Sequence, residues 1–500
     1  MKPVVKYNSQ HHQVADSLMT DQNLPSQHLG HVLIVGVGKS GQATARFLCK
    51  HADTLKIDSL TLADSLQSDA LDAFFEQLCK ESSSSPILAD LSLRALFGTE
   101  QIPSPDDFAH YDLCIITPGL APHTALAKSA YVQSREVISE VELAWRLSPD
   151  TLNWVAITGT NGKTTTTELV RAVLSAKKQE GSTSNHVYSV GNIGTPALEL
   201  LDQLQPGDTF VAEVSSFQAA RLADFRPQVA ALLNLSADHL DWHKDIAAYA
   251  ADKCEIFAHS ADGDLILAPD ASQLHPESRE VIAAALEAAR ARGAKLRIVD
   301  TGKEALPLSA QKIGIQGKHN LTNACFALEI ARYFDVAEED SARALKDFQP
   351  PPHRMQEVAR LQDVLYVNDS KSTNPDSTMQ ALSAYVGLEL ILLLGGQSKG
   401  SLGADYLDLA RLALGRAQTI LLFGQVASEL KTVFECVAED GQGQRVLCFE
   451  TMEDAVRFAC EKAKPCQVVL LSPANTSFDE FANYEERGTV FQKLVEKFGA

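Results

Sequence analysis

At 500 residues the chain is too long for one ordinary hydrophobic core, so about two to four domains are expected. A composition 45% hydrophobic and 22% charged is that of a soluble globular protein, and a net charge of −20 argues against a nucleic-acid backbone or an anionic membrane surface as the main partner. Nine scattered cysteines without a C-x-x-C pair, a polar start lacking the apolar core of a signal peptide, and a longest apolar run of only Leu390 to Leu394 predict a cytoplasmic protein in a reducing compartment, without membrane insertion.

Residues 1–30 carry His, Gln and Ser without periodicity and read as a loose extension; the pair His11-His12 has no third ligand nearby and reads as solvated. A strand at Val32 to Val35 then runs into Gly36-Val37-Gly38-Lys39-Ser40-Gly41 and a helix from Gln42 to Lys50. A second strand, Ser59 to Ala63, ends at Asp64. A G-x-G-x-x-G turn between strand and helix, followed by an acid about twenty residues later, is a dinucleotide-fold fingerprint. It reads either as a tight βα turn or as a seat for a nucleotide's phosphates and ribose. Ser82 to Ser85 reads as a linker. The strand Leu113 to Ile116 stops at Thr117-Pro118-Gly119, another turn at a strand's C-terminal edge, where ligands gather in open α/β sheets.

Val155-Ala156-Ile157 reads as a buried strand, broken by Gly159 and Gly162 before a helical pattern begins at Thr164. The turn Gly159-Thr160-Asn161-Gly162-Lys163-Thr164-Thr165 offers backbone N–H groups and a positive helix end to an anion. Lys163 adds a point charge there, and Thr164 a hydroxyl for Mg²⁺. Ile157 stands where a full eight-position P-loop has its first glycine. Strand–helix alternation continues, so a mostly parallel sheet with helices on both sides is expected. Gly191-Asn192-Ile193-Gly194 is a turn. The strand Thr209 to Ala212 ends at Glu213, placed either as a surface acid or as a Mg²⁺-holding carboxylate beside the phosphate turn. Asn234 to Asp241 follows the short strand Ala230 to Leu233, and His239 within it reads alone as a loop histidine. Lys253, in a helical pattern with Tyr249, reads alone as a solvated helix lysine. Asn320 and Asn323 lie one helical turn apart and face one way. Pro350-Pro351-Pro352 marks a boundary. Beyond it, strands ending at Asn368, Leu394 and Leu471 each run into a polar turn.

Taken together, Thr158 to Thr164, Gly191 to Gly194, Glu213 with Ser215-Ser216-Phe217-Gln218, and Asn234 with Asp238-His239-Leu240-Asp241 resemble the central domain of the ATP-dependent Mur ligases. These bacterial enzymes add amino acids to a UDP-linked sugar in peptidoglycan synthesis. The resemblance runs from about residue 31 to the C-terminus. His353-Arg354, Asn368 to Asn374, Leu471 to Asp479 and Tyr484 to Gly488 are similar to the branch of the family that adds D-glutamate.

The resemblance implies an α/β fold of three domains. A Rossmann-like N-terminal domain at 31–150 would hold the UDP-substrate. A central P-loop-type mononucleotide-binding α/β domain at 151–351 would hold ATP. A Rossmann-like C-terminal domain at 352–500 would hold the amino acid, with hinges near 150 and 351. It further implies a monomer that uses UDP-N-acetylmuramoyl-L-alanine, D-glutamate and ATP with two Mg²⁺ ions.

By the same resemblance Lys163 sits on the β/γ-phosphates, Thr164 and Glu213 hold one ion, and His239 with a carbamylated Lys253 holds the second. Gly159, Thr160, Asn161, Gly162, Thr165, Asn320, Asn323, Arg354 and Asp369 border ATP. The UDP moiety meets Gly36, Gly38, Lys39, Ser40, Gly41, Asp64, Ser65 and Gly119, with Asn192 nearer the sugar. D-Glutamate meets Thr373, Lys399, Ser477, the backbone at Phe478 and the ring of Tyr484, with Lys371 near the reacting phosphate or the amino-acid carboxylate. The chain departs from the family pattern at Ser398, where an Asp usually precedes the lysine, at Asn475-Thr476, and at Ala237. Rival readings are a sibling or folylpolyglutamate-type ligase, an NAD-dependent dehydrogenase, which leaves Lys163, Glu213 and Lys253 without a role, and a nucleotide switch.

Overall fold

The buried runs become the strands of three separate sheets in the computed structural model, which describes residues 28–83, 91–103, 109–177, 185–240, 242–299, 318–398, 402–438 and 445–499. The first sheet contains β1 (Gly30–Val35), β2 (Ile57–Asp64), β3 (Ser92–Phe97), β4 (Leu113–Ile116) and β5 (Val137–Ile138). Its order is β3-β2-β1-β4-β5 and every pair is parallel. The chain order reverses direction between β1 and β4, so the turns after these two strands share one edge.

The second sheet contains β6 (Asn153–Thr158), β7 (Val187–Gly191), β8 (Thr209–Glu213), β9 (Val229–Leu232), β10 (Leu265–Ala268) and β11 (Lys295–Ile298), in the order β11-β10-β9-β6-β8-β7, again all parallel. Side chains of β6 alternate between two cores: Trp154 and Ala156 join one, Val155 and Ile157 the other. A strand covered on both faces reads as a continuous apolar run, as this one does. The first of those cores also takes in Val32 and Leu60, so the first two sheets share one apolar interior.

The third sheet contains β12 (Gln356–Leu361), β13 (Val364–Asn368), β14 (Glu389–Gly395), β15 (Ala417–Phe423), β16 (Val446–Cys448) and β17 (Gln467–Ala474), ordered β12-β13-β17-β14-β15-β16. Only β12–β13 is antiparallel; the other pairs are parallel. The expected mostly parallel α/β architecture is therefore the one observed, in three units. Because β17 returns between β13 and β14, the turns after all three strands meet at one edge. One local expectation is corrected. Ser82 belongs to a helix, Asp69–Ser83, rather than to a linker, because Leu71, Phe74 and Leu78 give that stretch a buried face at helical spacing. Residues 1–27, Ser84, Ser85, Asp241 and Lys399 lie outside the described residues.

Candidate active site

The site is built where the C-terminal ends of β6, β8 and β9 lie side by side. After β6 the chain turns through Gly159 (φ +153°) and Gly162 (φ +82°) into the helix Lys163–Ser175. Gly162 needs its glycine, since a Cβ there would stand 2.5 Å from Asn323 Oδ1. The turn is stapled to the end of β9: Asn161 N–H donates to Asn234 Oδ1 (2.9 Å), and Asn234 Nδ2 donates back to Asn161 O (3.0 Å). Lys163 Nζ folds over the turn and donates to the carbonyls of Gly159 (2.9 Å) and Thr160 (2.8 Å). The ammonium thus stands beside the N–H-rich turn at the start of the helix.

Glu213 ends β8 and is buried. Its carboxylate accepts from Thr164 Oγ1 (2.7 Å) and Asn192 Nδ2 (3.0 Å). Burial pushes its pKa up, but the charges of Lys371 and Lys163 and these two hydrogen bonds outweigh burial and hold it below the usual carboxylate range. A buried, ionised carboxylate next to a hydroxyl is an oxygen pair suited to a hard divalent cation. Two groups from the third unit complete the surroundings. Arg354 Nη2 donates to Thr164 Oγ1 (3.2 Å), while Arg354 Nε is buried with no partner among the described residues. Lys371 Nζ donates to Tyr484 Oη (3.1 Å), 4.9 Å from the ring centroid. Burial pulls Lys371 down to about 8; Arg354 and Lys163 push the same way, and Glu213 and Glu485 oppose.

Lys253, which by pattern alone reads as a solvated lysine, is 1% exposed. Its helix, Ile246–Cys254, turns it inward, so Nζ donates to Gly159 O (2.9 Å) and lies 4.6 Å from the Tyr249 ring centroid. Burial, followed by the charge of Lys163, holds its pKa well below the ordinary lysine value. His239, in the left-handed region at φ +56°, packs edge-on to Phe217 (4.7 Å) and lies 3.6 Å from Asp238. Among the described residues no three His, Cys, Asp or Glu side chains gather closely enough to hold a metal ion.

Asn161, Gly162, Thr165, Asn320, Asn323, Arg354 and Asp369 share a cavity of about 520 Å³. Asn323 Nδ2 donates to Asn320 Oδ1 (3.2 Å). Asp369 is buried and accepts from Ser372, Ser472 (2.8 Å) and Met355 N–H (3.1 Å); burial nevertheless raises it to about 6. A larger cleft of about 1110 Å³ brings Lys39 and Ser40 of the first unit, Thr164 and Asn192 of the second, and Lys371 and Tyr484 of the third to one space. Asp64 holds the first glycine turn from behind, accepting from Val37 N–H (2.7 Å), and Lys39 Nζ donates to Gly194 O (2.7 Å). Gly38 and Gly119 face open space. Gly36 and Gly41 are filled positions, their Cβ directions blocked by Thr117 and by the Gly36 carbonyl.

The D-glutamate set is less gathered. Ser477 is buried, Phe478 is 66% exposed, and Lys399 is outside the described residues.

Several buried or half-buried polar residues carry no motif and are not legible in the sequence. His243 bridges Ser216 Oγ (2.9 Å) and Asp252 (2.8 Å), tying the turn behind Glu213 to the helix of Lys253. Arg221 donates to the carbonyls of Thr117 (3.1 Å) and Leu120 in the first unit. Asp376 accepts from Asn161, Ser236 and Gln380. Only their three-dimensional partners identify them.

Residues 157–331 match the family model described as Mur ligase middle domain, and residues 353–475 match Mur ligase, glutamate ligase domain. The chain is 33% identical over 474 residues to the UDP-N-acetylmuramoylalanine–D-glutamate ligase of Pelotomaculum thermopropionicum, covering 93% of this chain and 97% of that protein. It is 36% identical over 478 residues to the protein of the same name in Koribacter versatilis, with the same coverage. Among solved structures, the fold is similar to MurF from Acinetobacter baumannii, with a TM-score of 0.56 at 18% identity over 93% of each chain. It is similar also to MurF ligase from Thermotoga maritima, at 0.52 and 17%, over 77% of this chain and 96% of that one.

Proposed function

The chain belongs to the Mur ligase family, and from that premise we propose that it is an ATP-dependent amide ligase joining D-glutamate to UDP-N-acetylmuramoyl-L-alanine, with release of ADP and phosphate. The observation that carries the reading is the convergence of Lys163, Arg354 and Lys371 on the Thr164–Glu213 pair, with Thr164 and Lys371 lining a cleft that opens on all three units. The alanyl carboxylate attacks the γ-phosphate of ATP, forming an acyl phosphate and releasing ADP. The amine of D-glutamate then attacks the acyl carbon; the amide bond forms, phosphate leaves, and the amine gives up a proton. The first step brings an anion against a polyanion. Positioning and charge neutralisation therefore supply most of the catalysis, and three cations around one acid are the charge such a step needs. The unpartnered Nε of Arg354 suits a phosphate oxygen, because a guanidinium offers forked donors.

Thr164 and Glu213 would hold Mg²⁺, which when bound neutralises phosphate charge; both donors are oxygens, and Glu213 is ionised. A second ion would rest on His239 and a CO₂-derived carbamate of Lys253. The depressed pKa of Lys253 supports that modification, since only a neutral amine adds CO₂. Intact mass measured in bicarbonate should then carry one added CO₂ that a Lys253→Ala variant lacks, and an unmodified mass in both would remove the carbamate. The same reading places the protein in the bacterial cytoplasm as a monomer. Among the described residues no helix is long and apolar enough to cross a membrane.

The deciding assay is phosphate release with ATP and UDP-N-acetylmuramoyl-L-alanine across a panel of amino acids. Turnover with D-glutamate and none without it is expected. Turnover with another amino acid instead would assign a sibling activity, and turnover with no amino acid would point to a nucleotide switch.

A further inference from the structure

The first turn of the helix Pro375–Ala384 in the third unit lies against the phosphate turn of the second, and its contacts are unusual in kind. Asn374 is the N-cap: its Oδ1 accepts from Ser377 N–H (2.9 Å), which leaves its amide free to reach out of the helix. That amide donates across the boundary to Asp238 Oδ2 (3.0 Å). Two residues on, in the same first turn, Asp376 Oδ2 accepts from Asn161 Nδ2, from Ser236 Oγ (3.1 Å), and from Gln380 Nε2 of its own helix (3.1 Å). Asn161 is the residue between Thr160 and Gly162, at the crest of the phosphate turn, and its own backbone is already clamped by Asn234.

Two carboxylates, Asp238 of the second unit and Asp376 of the third, therefore meet at this seam, and each accepts from side chains of the other unit. Asp376 is held by amide and hydroxyl donors together with the positive end of its own helix. Neither Asp376 nor Ser236 contributes to the cationic cluster around Glu213. The seam does no chemistry; it sets where the third unit sits.

We propose that Asp376 is a positioning residue that docks the third unit onto the phosphate turn through Asn161 and Ser236, so that the nucleotide site is complete only in the docked arrangement. The proposal rests on the ligase reading to the extent that Arg354 and Asp369, carried by the third unit, serve the ATP bound by the second. Removing the carboxylate lowers the docked fraction without touching the reacting groups. A ligand that binds only the docked form then sees its affinity reduced by that fraction, while saturating ligand pulls the chain back to the docked state.

The test joins kinetics with small-angle X-ray scattering on the full chain. Asp376→Ala should raise the KM for ATP about tenfold while kcat at saturation stays within about threefold of wild type. Asp376→Asn, which keeps the size and one acceptor, should raise the KM by a smaller factor and guards against a folding defect in the alanine variant. Ser236→Ala should move the KM in the same direction. Without ligands Asp376→Ala should scatter as a more extended particle than wild type, and saturating ATP with UDP-N-acetylmuramoyl-L-alanine should restore the compact profile. A fall in kcat with KM unchanged, or superimposable scattering of unliganded wild type and Asp376→Ala, overturns the proposal. Absence of D-glutamate-dependent turnover in the wild type would sink the ligase reading instead, and the scattering comparison would then decide the docking role alone.

Discussion

Lys371 is the residue whose charge state is most exposed to test. Burial is the main force on it, and with Arg354 and Lys163 it brings the pKa to about 8, against an ordinary 10.5. The cation is therefore present below that pH and lost as pH rises through it, more than two units earlier than for a solvated lysine. If Lys371 neutralises transferring phosphate, kcat/KM for ATP should fall on the alkaline side with an apparent pKa near 8, since that ratio reports the free enzyme. Lys371→Arg keeps its charge throughout this range. It should flatten the alkaline limb while lowering the plateau about tenfold or more, because a planar guanidinium does not fit a seat formed by the Tyr484 ring and hydroxyl. An alkaline limb that persists unchanged in Lys371→Arg would place the titration elsewhere. The residue was legible from its place in Asn368 to Asn374. Tyr484 and Glu213 were legible by the same resemblance, but their closeness to Lys371 was not, since both stand more than a hundred positions away along the chain.

At the scale of elements, the glycine turn after β1 separates a packing requirement from a ligand requirement. A Cβ on Gly41 would stand 2.0 Å from the Gly36 carbonyl oxygen, so the helix Lys39–Lys50 can close on β1 only with glycine there. A Cβ on Gly38, at φ −74°, meets nothing within 4 Å. Gly41→Ala should thus cost about 3 kcal/mol of stability. Gly38→Ala should cost about 1 kcal/mol or less, as the loss of a glycine N-cap, yet raise the KM for the UDP-substrate, because that open space faces the expected pyrophosphate. Equal stability losses in denaturant titrations of the two variants would remove the distinction. This turn was readable because its spacing encodes a steric demand. The β12–β13 hairpin was not. Its two-residue turn is Gln362-Asp363, with φ of +49° and +63°, so a type I′ geometry is made by residues that do not advertise it. The local sequence preference lost to sheet packing, and with it went the antiparallel edge of an otherwise parallel sheet.

Over the whole molecule the two boundaries differ in kind, although the sequence places a hinge at each. The first is fastened by buried ionisable groups. Glu142 accepts from the backbone N–H groups of Ala223 (3.0 Å), Asp224 (3.0 Å) and Phe225 (3.1 Å) and from Arg146 (2.7 Å). Glu140 accepts from Leu198 N–H (3.0 Å), and Ser139 N–H donates to Arg221 O (2.9 Å). Such partners are backbone groups some sixty to eighty positions away, which is why no motif announces them. The second boundary is held by the Asn374, Asp376 and Arg354 contacts, and it is there that motion should concentrate. Glu140 gives the first boundary a measurable pH signature. Burial raises its pKa from 4.5 to about 7, against the bonds from Leu198 and Ala197, with the charge of Glu199 adding to the rise. Between those two values the folded chain holds more protons than the unfolded one, so stability falls as pH rises through the window. The loss approaches about 3 kcal/mol above pH 7, at about 1.4 kcal/mol per pH unit. All three tryptophans, Trp145, Trp154 and Trp242, lie in the first two units, and Trp145 and Trp154 pack edge-on to Phe225 beside the Glu142 clamp. Tryptophan fluorescence therefore follows this boundary apart from the unfolding of the third unit. The fluorescence-detected melting midpoint of the wild type should drop between pH 5 and pH 8, and Glu140→Gln, which has no charge to bury, should remove most of that slope. Parallel pH profiles for the two proteins would show that Glu140 is ionised without penalty and that the first boundary owes its pH response to another group.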